Sequence, residues 1–476
     1  MPRLPAPAAV LLCLTLAGCA QTPPAGRAAA TVAPPVAWST ADPAITSSPV
    51  ADLAGWWRRF GDATLDQLID DALHAAPDFR SAQARLRQAR ANRDLAVANL
   101  FPSLGVSVSA TRSYSGTAAG GGGTARTLYA AGFDASWEPP IFNGLRDAAA
   151  AAEADAAASA ATLEATRVSL AAEVALDYVT LRTYQQRLAI ARDNVASQAE
   201  TLQLTEWRQQ AGLATMLDVE QARASLELTR ASMPGLESAA AEAEHRLAVL
   251  TGQPPGALQP LLAAVRPLPG APDRVAVGIP ADALRQRPDV YAAELALQAE
   301  IARTAEARAA RYPDLSLNGS FGWQAFSAAA LGGADTLVRS LAGSLAMNLF
   351  DGGRIRARIA VQDAVQEQAL IAYEQSVLTA LEDVENALAG YAAGRRRVDS
   401  SRRAAEAARN AAQLARTLYQ AGAADFQQVL SADRTRLSAE DGLASAESDL
   451  LATVIKLYKA LGGGWRSDAD AAKDDS

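Results

Sequence analysis

Four short segments of this chain alternate between apolar and small or polar residues. Leu104, Val106, Val108 and Ala110 alternate with Ser103, Gly105, Ser107 and Ser109. Tyr129, Ala131, Phe133, Ala135 and Trp137 alternate with smaller or polar residues that include Asp134 and Ser136. Leu315, Leu317, Gly319, Phe321 and Trp323 are interleaved with Ser316, Asn318, Ser320 and Gln324, and Leu341, Leu345, Met347 and Leu349 with Ser340, Ser344 and Asn348. A period of two puts successive side chains on opposite faces of a strand. Each run is about ten residues, the length of an outer-membrane barrel strand; a soluble half-buried sheet has the same period. Trp137 and Trp323 lie near strand ends, where aromatic girdles sit, and favour the barrel. The hairpin connections are glycine-rich, at Gly120 to Gly123 and at Gly332-Gly333, and read as mobile exposed loops.

After each hairpin the period changes. Residues 145–211 contain neither glycine nor proline, enough for about 100 Å of unbroken helix. Leu163 and Leu170 are seven apart, Val174 follows after four, and Leu181, Leu188, Val195 and Leu202 resume the spacing of seven. That is a coiled-coil seam with one stutter. The matching stretch 354–421 is free of proline but carries Gly390 and Gly394, which would let it bend more than the first. Gly212 and Gly422 end the two long helices and read as left-handed caps. A return helix follows each, over 213–250 and 423–461. Pro234 is expected to interrupt the first; its counterpart in the second is Ala444.

The chain is therefore written twice. Gln210-Ala211-Gly212 returns as Gln420-Ala421-Gly422, Pro77-Asp78 as Pro288-Asp289, and Phe142-Asn143-Gly144 as Phe350-Asp351-Gly352. The first repeat spans 51–255, with its hairpin at 103–138. Residues 256–280 form a proline-rich linker. The second repeat spans 281–465, with its hairpin at 314–350. Four strands cannot close a barrel, and an open edge in lipid leaves backbone groups unpaired. The chain must oligomerise if these strands span a membrane: two copies supply eight strands and three supply twelve, the latter wide enough for a channel.

The ends and the composition narrow the chemistry. Residues 1–18 read as a signal peptide, and Leu16-Ala17-Gly18-Cys19 as a lipobox that makes Cys19 the lipid attachment site. The alternative is an ordinary signal peptide with a chance cysteine. Residues 19–50 are rich in Pro, Ala and Thr and read as an extended tether. Residues 466–476 read as a disordered acidic tail. Cys13 and Cys19 are the only cysteines, so the mature chain has no disulfide and no thiolate metal site. His74 and His245 are far apart and read as solvated residues. Net charge is −8 with mixed signs, and no basic stripe points to nucleic acid. No phosphate-binding loop, metal cluster or catalytic triad is visible. The sequence therefore predicts no enzyme, no cofactor and no metal.

Three motifs carry a family resemblance. Trp56-Trp57-Arg58-Arg59-Phe60-Gly61-Asp62 opens the body. Gly278-Ile279-Pro280-Ala281-Asp282-Ala283-Leu284-Arg285-Gln286-Arg287-Pro288-Asp289 opens the second repeat. Leu457-Tyr458-Lys459-Ala460-Leu461-Gly462-Gly463-Gly464-Trp465 closes it. Together they resemble the TolC-like outer membrane factors, specifically the lipid-anchored NodT branch paired with RND pumps. The resemblance implies an α+β membrane protein: a trimeric twelve-stranded outer-membrane β-barrel, four strands per chain, continued by a long coiled-coil periplasmic tunnel. It implies a passive export duct for drugs or small molecules, working with an inner-membrane RND pump and a periplasmic adaptor. A type I protein secretion channel and a heavy-metal cation efflux channel are the alternatives. By the same resemblance Asp218, Tyr419, Gln428 and Ser431 fall at the periplasmic aperture, and Gly212 and Gly422 at tip turns that meet the adaptor. The departures concentrate at this gate. Gln428 and Ser431 stand where the family's best-known member has aspartates, and Ala424 where it has a bridging arginine.

Overall fold

A computed structural model describes residues 33–40, 42–46, 53, 55–114, 125–272, 274–463 and 465. The expected signal peptide, Cys19, the Gly120 to Gly123 loop and the acidic tail lie outside the described residues. In chain order the elements are β1 (Ile45–Thr46), α1 (Ala63–Ala75), α2 (Pro77–Ala98), β2 (Ser103–Tyr114), β3 (Ala125–Trp137), α3 (Gly144–Gln210) and α4 (Met216–Leu250). They continue with α5 (Gln259–Leu262), β4 (Val275–Ala276), α6 (Pro280–Arg285), α7 (Pro288–Ala309), β5 (Asp314–Ala325), β6 (Leu337–Ala346), α8 (Arg354–Gln420) and α9 (Phe426–Ala460). Contacts divide the chain into two compact units. One comprises 86–159 and 293–373; the other comprises the rest of the described residues.

The first unit is built on an antiparallel sheet in the order β2-β3-β5-β6. Its register brings the alternating sets onto one face. Leu104 pairs with Ala135 and Ala135 with Gly319, which pairs with Leu341; Val106 pairs with Phe133, and Phe133 with Phe321. The other face carries serines that bond across the strands, Ser316 to Ser344 at 2.7 Å and Ser320 to Ser340 at 2.8 Å. Ser107 donates to Asp134 on that face at 2.6 Å. Gly132 and Gly322 pair directly, and a Cβ on Gly322 would lie 2.6 Å from the Gly132 Cα. Only glycine lets β3 and β5 meet so closely there. Strand β6 ends at Ala346, so Met347 and Leu349 do not continue it as the alternation predicts. The second hairpin loop is not featureless: Ala328–Ala330 and Ala334–Thr336 form 3₁₀ turns, and Thr336 Oγ1 donates to Gly333 O at 2.8 Å.

The second unit holds the larger core. Trp56, Trp57 and Phe60 are buried with Tyr458, the Trp56 and Tyr458 rings 5.4 Å apart. Asp62 then caps α1 by accepting from Thr64 N at 2.9 Å, and it also accepts from the Tyr178 hydroxyl. The first motif is thus an aromatic plug followed by a helix cap. The other two motifs meet one another. Arg287 is 8 % exposed; it bonds Asp289 at 2.6 and 3.0 Å and Asp383 at 3.1 Å, and donates to Ala460 O at 3.2 Å. Burial alone would raise the Asp289 pKa, but the Arg287 hydrogen bond and charge outweigh it and hold the carboxyl below its usual range. A Cβ on Gly462 would lie 1.8 Å from Gln286 O. The duplication repeats this contact: a Cβ on Gly252 would lie 2.7 Å from Ala75 O. Both glycines have positive φ, so each copy closes its last helix against the start of its own repeat through a residue without a side chain.

Two expectations are corrected in this unit, for Pro234 and for the tether and linker. Pro234 does not interrupt α4, which runs unbroken over 35 residues with the proline inside it. The missing N–H removes one ladder bond, and its exposed position leaves the ring clear of the packed face. Gly390 and Gly394 mark close packing: Cβ atoms there would lie 3.1 Å from the Thr453 side chain and 3.2 Å from Leu450 Cδ1, both on α9. The tether and linker are not wholly irregular. β1 pairs in parallel with β4, Trp38 Nε1 donates to Gly278 O at 3.1 Å, and Glu385 accepts from Ser39 N and Thr40 Oγ1 at 2.6 and 3.2 Å. Leu258, Leu262, Val275 and Val277 of the linker are buried.

Candidate gate at the helix tips

Both long helices are 67 residues and end in the same turn. Gly212 has φ 73 and Gly422 φ 74. Leu213 N bonds Arg208 O at 2.7 Å, and Ala423 N bonds Leu418 O at 2.8 Å. These six-to-one bonds satisfy carbonyls that the helix end would otherwise leave unpaired. A Cβ at either glycine would meet nothing within 4 Å, so the requirement is set by the backbone angle alone.

The return helices start differently in the two copies. Thr215 caps α4: its hydroxyl accepts from Asp218 N at 3.2 Å, while Asp218 Oδ2 accepts from Thr215 N at 2.9 Å and from its hydroxyl at 2.8 Å. This is a complete capping box. In the second copy Asp425 is the cap and accepts from Gln428 N at 2.9 Å. Asp218 and Gln428 therefore hold equivalent positions, one acidic and one neutral. Gln428 and Ser431 are exposed, and Asp218 is half-buried.

Tyr419, unlike these, is buried. It is 3 % exposed, packed with Ala222, Phe426, Val429 and Leu430. Its hydroxyl donates to Thr205 Oγ1 at 3.2 Å, and the Arg208 guanidinium sits 4.5 Å from its ring centroid and donates to its carbonyl. Tyr419 thus joins α8 to α3 inside the protomer. Near it the buried Asp433 accepts from Arg416 at 2.6 Å. The sequence reading missed Arg208, Thr205 and Arg416. Arg208 lies four residues before Gly212, and that position was the one available signal.

A second charged cluster lies along α3 and α4. Glu173 and Asp177 are one turn apart; Arg246 bonds Glu173 and lies 3.8 Å from Asp177. Burial, and then the Glu173 charge, push the Asp177 carboxyl up to about 6 against the pull of Arg246. Among the described residues no group of His, Cys, Asp and Glu could hold a metal ion.

A strand sheet with one apolar face, very long helices and glycine-turned tips define a protomer of an outer-membrane channel. The chain belongs to the outer membrane efflux protein family, whose model matches residues 68–253 and 279–463, once in each repeat. It is 34 % identical to the pyoverdine export outer membrane protein OpmQ of Pseudomonas putida, over 96 % of this chain and 97 % of that one. It is 29 % identical to nodulation protein T of Rhizobium leguminosarum bv. trifolii, over 74 % of this chain and 76 % of that one. Among solved structures, the outer-membrane channel OprN superposes with a TM-score of 0.84 at 37 % identity, covering 91 % of this chain and 98 % of that one. The fold class is that of the trimeric channels of this family, and the protein resides in the outer membrane.

Proposed function

We propose that the chain is the outer-membrane duct of a tripartite efflux system, passing drugs or small molecules and performing no covalent chemistry. The observation that carries this reading is the sheet. The outer edges of β2 and β6 have no partner strand in this sheet, and both strands are exposed along their whole length. An apolar sheet with two open edges is stable in lipid only when other copies close it, and three copies give the twelve strands of a channel. An inner-membrane RND pump supplies the energy, and a periplasmic adaptor joins pump to tunnel. The adaptor has a fitting contact at the first tip, where Trp207, Leu213, Met216 and Leu217 are 56 to 69 % exposed. Cys19 carries the lipid anchor. The resemblance to a pyoverdine export protein supports a pyoverdine-like small molecule as cargo.

Deleting the gene should raise intracellular accumulation of the pump's substrates several-fold, and the intact gene should restore efflux. Native mass spectrometry of the purified protein should give three chains. A monomer without channel activity in lipid bilayers would overturn the reading.

A further inference from the structure

The outward face of the sheet carries a charge pattern that the duct does not use. The face bearing Leu104, Val106, Phe133, Phe321 and Leu341 is mostly apolar, and among the described strand residues it is charged at two positions. These are Arg112 on β2 and Arg339 on β6, placed on that face by the pairing of Arg112 with Thr127 and of Arg339 with Phe321. No acid shares the face with them among the described strand residues. Each arginine is the third residue from the hairpin-loop end of its strand: β2 ends at Tyr114 and β6 begins at Leu337. At the helix end of the same face the outward residues are Leu104, Trp137, Leu315 and Leu345, all uncharged.

β2 and β6 are the two edges of the sheet. Closing the barrel therefore sets β6 of one chain beside β2 of the next, about 4.8 Å away. Two arginines then flank each seam on the lipid side, at the loop end. Charge on the lipid face is costly at mid-depth and nearly free close to the interface. Like charges on neighbouring strands repel unless an anion lies between them. Guanidinium groups match phosphate oxygens in pairs.

Resting on the trimeric barrel proposed above, we infer that Arg112 and Arg339 of adjacent subunits form a binding site for the phosphorylated headgroup of an outer-leaflet lipid, one at each seam. Its acyl chains would lie along the apolar face below, over Val108 and Leu341. The bound lipid would bridge two subunits and hold the barrel closed.

The test uses the full-length, delipidated trimer in detergent, its mass first confirmed as three chains. A mass other than three chains overturns the barrel reading and this inference with it. Bisphosphorylated lipid A, the same lipid stripped of phosphate, and inorganic phosphate are then titrated while the melting temperature and lipid adducts in native mass spectra are followed. Lipid A should bind the wild-type trimer at least tenfold more tightly than its dephosphorylated form. R112Q and R339Q should each narrow that preference, and the double variant should abolish it. The doubly substituted R112K/R339K protein should retain part of it. An unchanged preference in both single variants overturns the site. Equal stabilisation by inorganic phosphate alone overturns the lipid as its ligand.

Discussion

Arg208 lies 4.5 Å from the centre of the Tyr419 ring and donates to that residue's own carbonyl. The contact ties the last turn of one long helix to the last turn of its repeat-related partner, so it sets how far the two can part at the tip. Removing it should loosen the tip. Arg208→Ala loses a cation–π contact and a hydrogen bond, on the order of 1–2 kcal/mol together. Tyr419→Phe loses only the bond to Thr205 and should be milder. Single-channel recordings in planar bilayers should show higher conductance or longer open times for Arg208→Ala. Wild-type traces from that variant would assign tip closure to other contacts.

Asp218 caps a helix, and we propose that it also biases the ions that pass the tip; Thr215 distinguishes the two roles. Thr215→Ala should cost about 1 kcal/mol of capping while leaving the acid in place. Its ion selectivity should match wild type. Asp218→Ala should lose a similar amount of stability and also lower cation preference, because three chains place three of these carboxylates around one axis. Reversal potentials under a KCl gradient, read beside thermal midpoints, separate the two. If Asp218→Ala shifts only the midpoint, the residue is a helix cap and nothing more.

The two faces of β6 should respond oppositely to charge. Leu341 is 85 % exposed on the apolar face, and its neighbour Ser340 points to the other face and bonds Ser320. Leu341→Arg should cost about 2–4 kcal/mol at mid-depth and reduce outer-membrane yield. Ser340→Arg should be tolerated. Equal yields would reverse the assignment of lipid and lumen faces.

Asp177 makes stability depend on pH in a stated direction. Its folded pKa of about 6 lies above the ordinary 3.8, so the folded chain binds the proton more tightly than the unfolded one. The resulting stabilisation is fully present below pH 4 and is lost as pH rises through 6. Asp177→Asn should flatten that part of the profile, by at most about 3 kcal/mol. Melting temperatures of both proteins between pH 4.5 and 7.5 measure it. Parallel profiles would mean that Asp177 is ionised normally in the fold.

The strands were legible because a period of two encodes both the strand and its face, and the antiparallel register then leaves Leu104, Ala135 and Leu341 no other side to occupy. The ends of the long helices were legible because Gly212 and Gly422 state a backbone angle that other residues resist. The rest depends on partners far away in the chain. Nothing near Arg287 announces that it will bond Asp383 and Ala460 O. Nothing near Arg187 points to Asp441, 254 positions on, which it bonds at 2.5 and 3.0 Å. Tyr419 was matched to an aperture by position, yet its burial follows from Phe426 and Val429 on the next helix. Pro234 was misread because propensity alone ignores the packing that holds α4 straight on either side of it.

The close approach of Gly390 and Gly394 to Thr453 and Leu450 constrains motion. Side chains of α9 rest in two notches on successive turns of α8, each with little clearance. Such a pair cannot slide lengthwise by a fraction of a turn without first lifting apart, because Leu450 would ride up onto the neighbouring helix ridge. At this level the two helices therefore behave as one rigid rod. Any dilation of the tunnel must be delivered by bending or swinging the stretches beyond the notches, toward Gly422, with the notched segment acting as the fixed fulcrum.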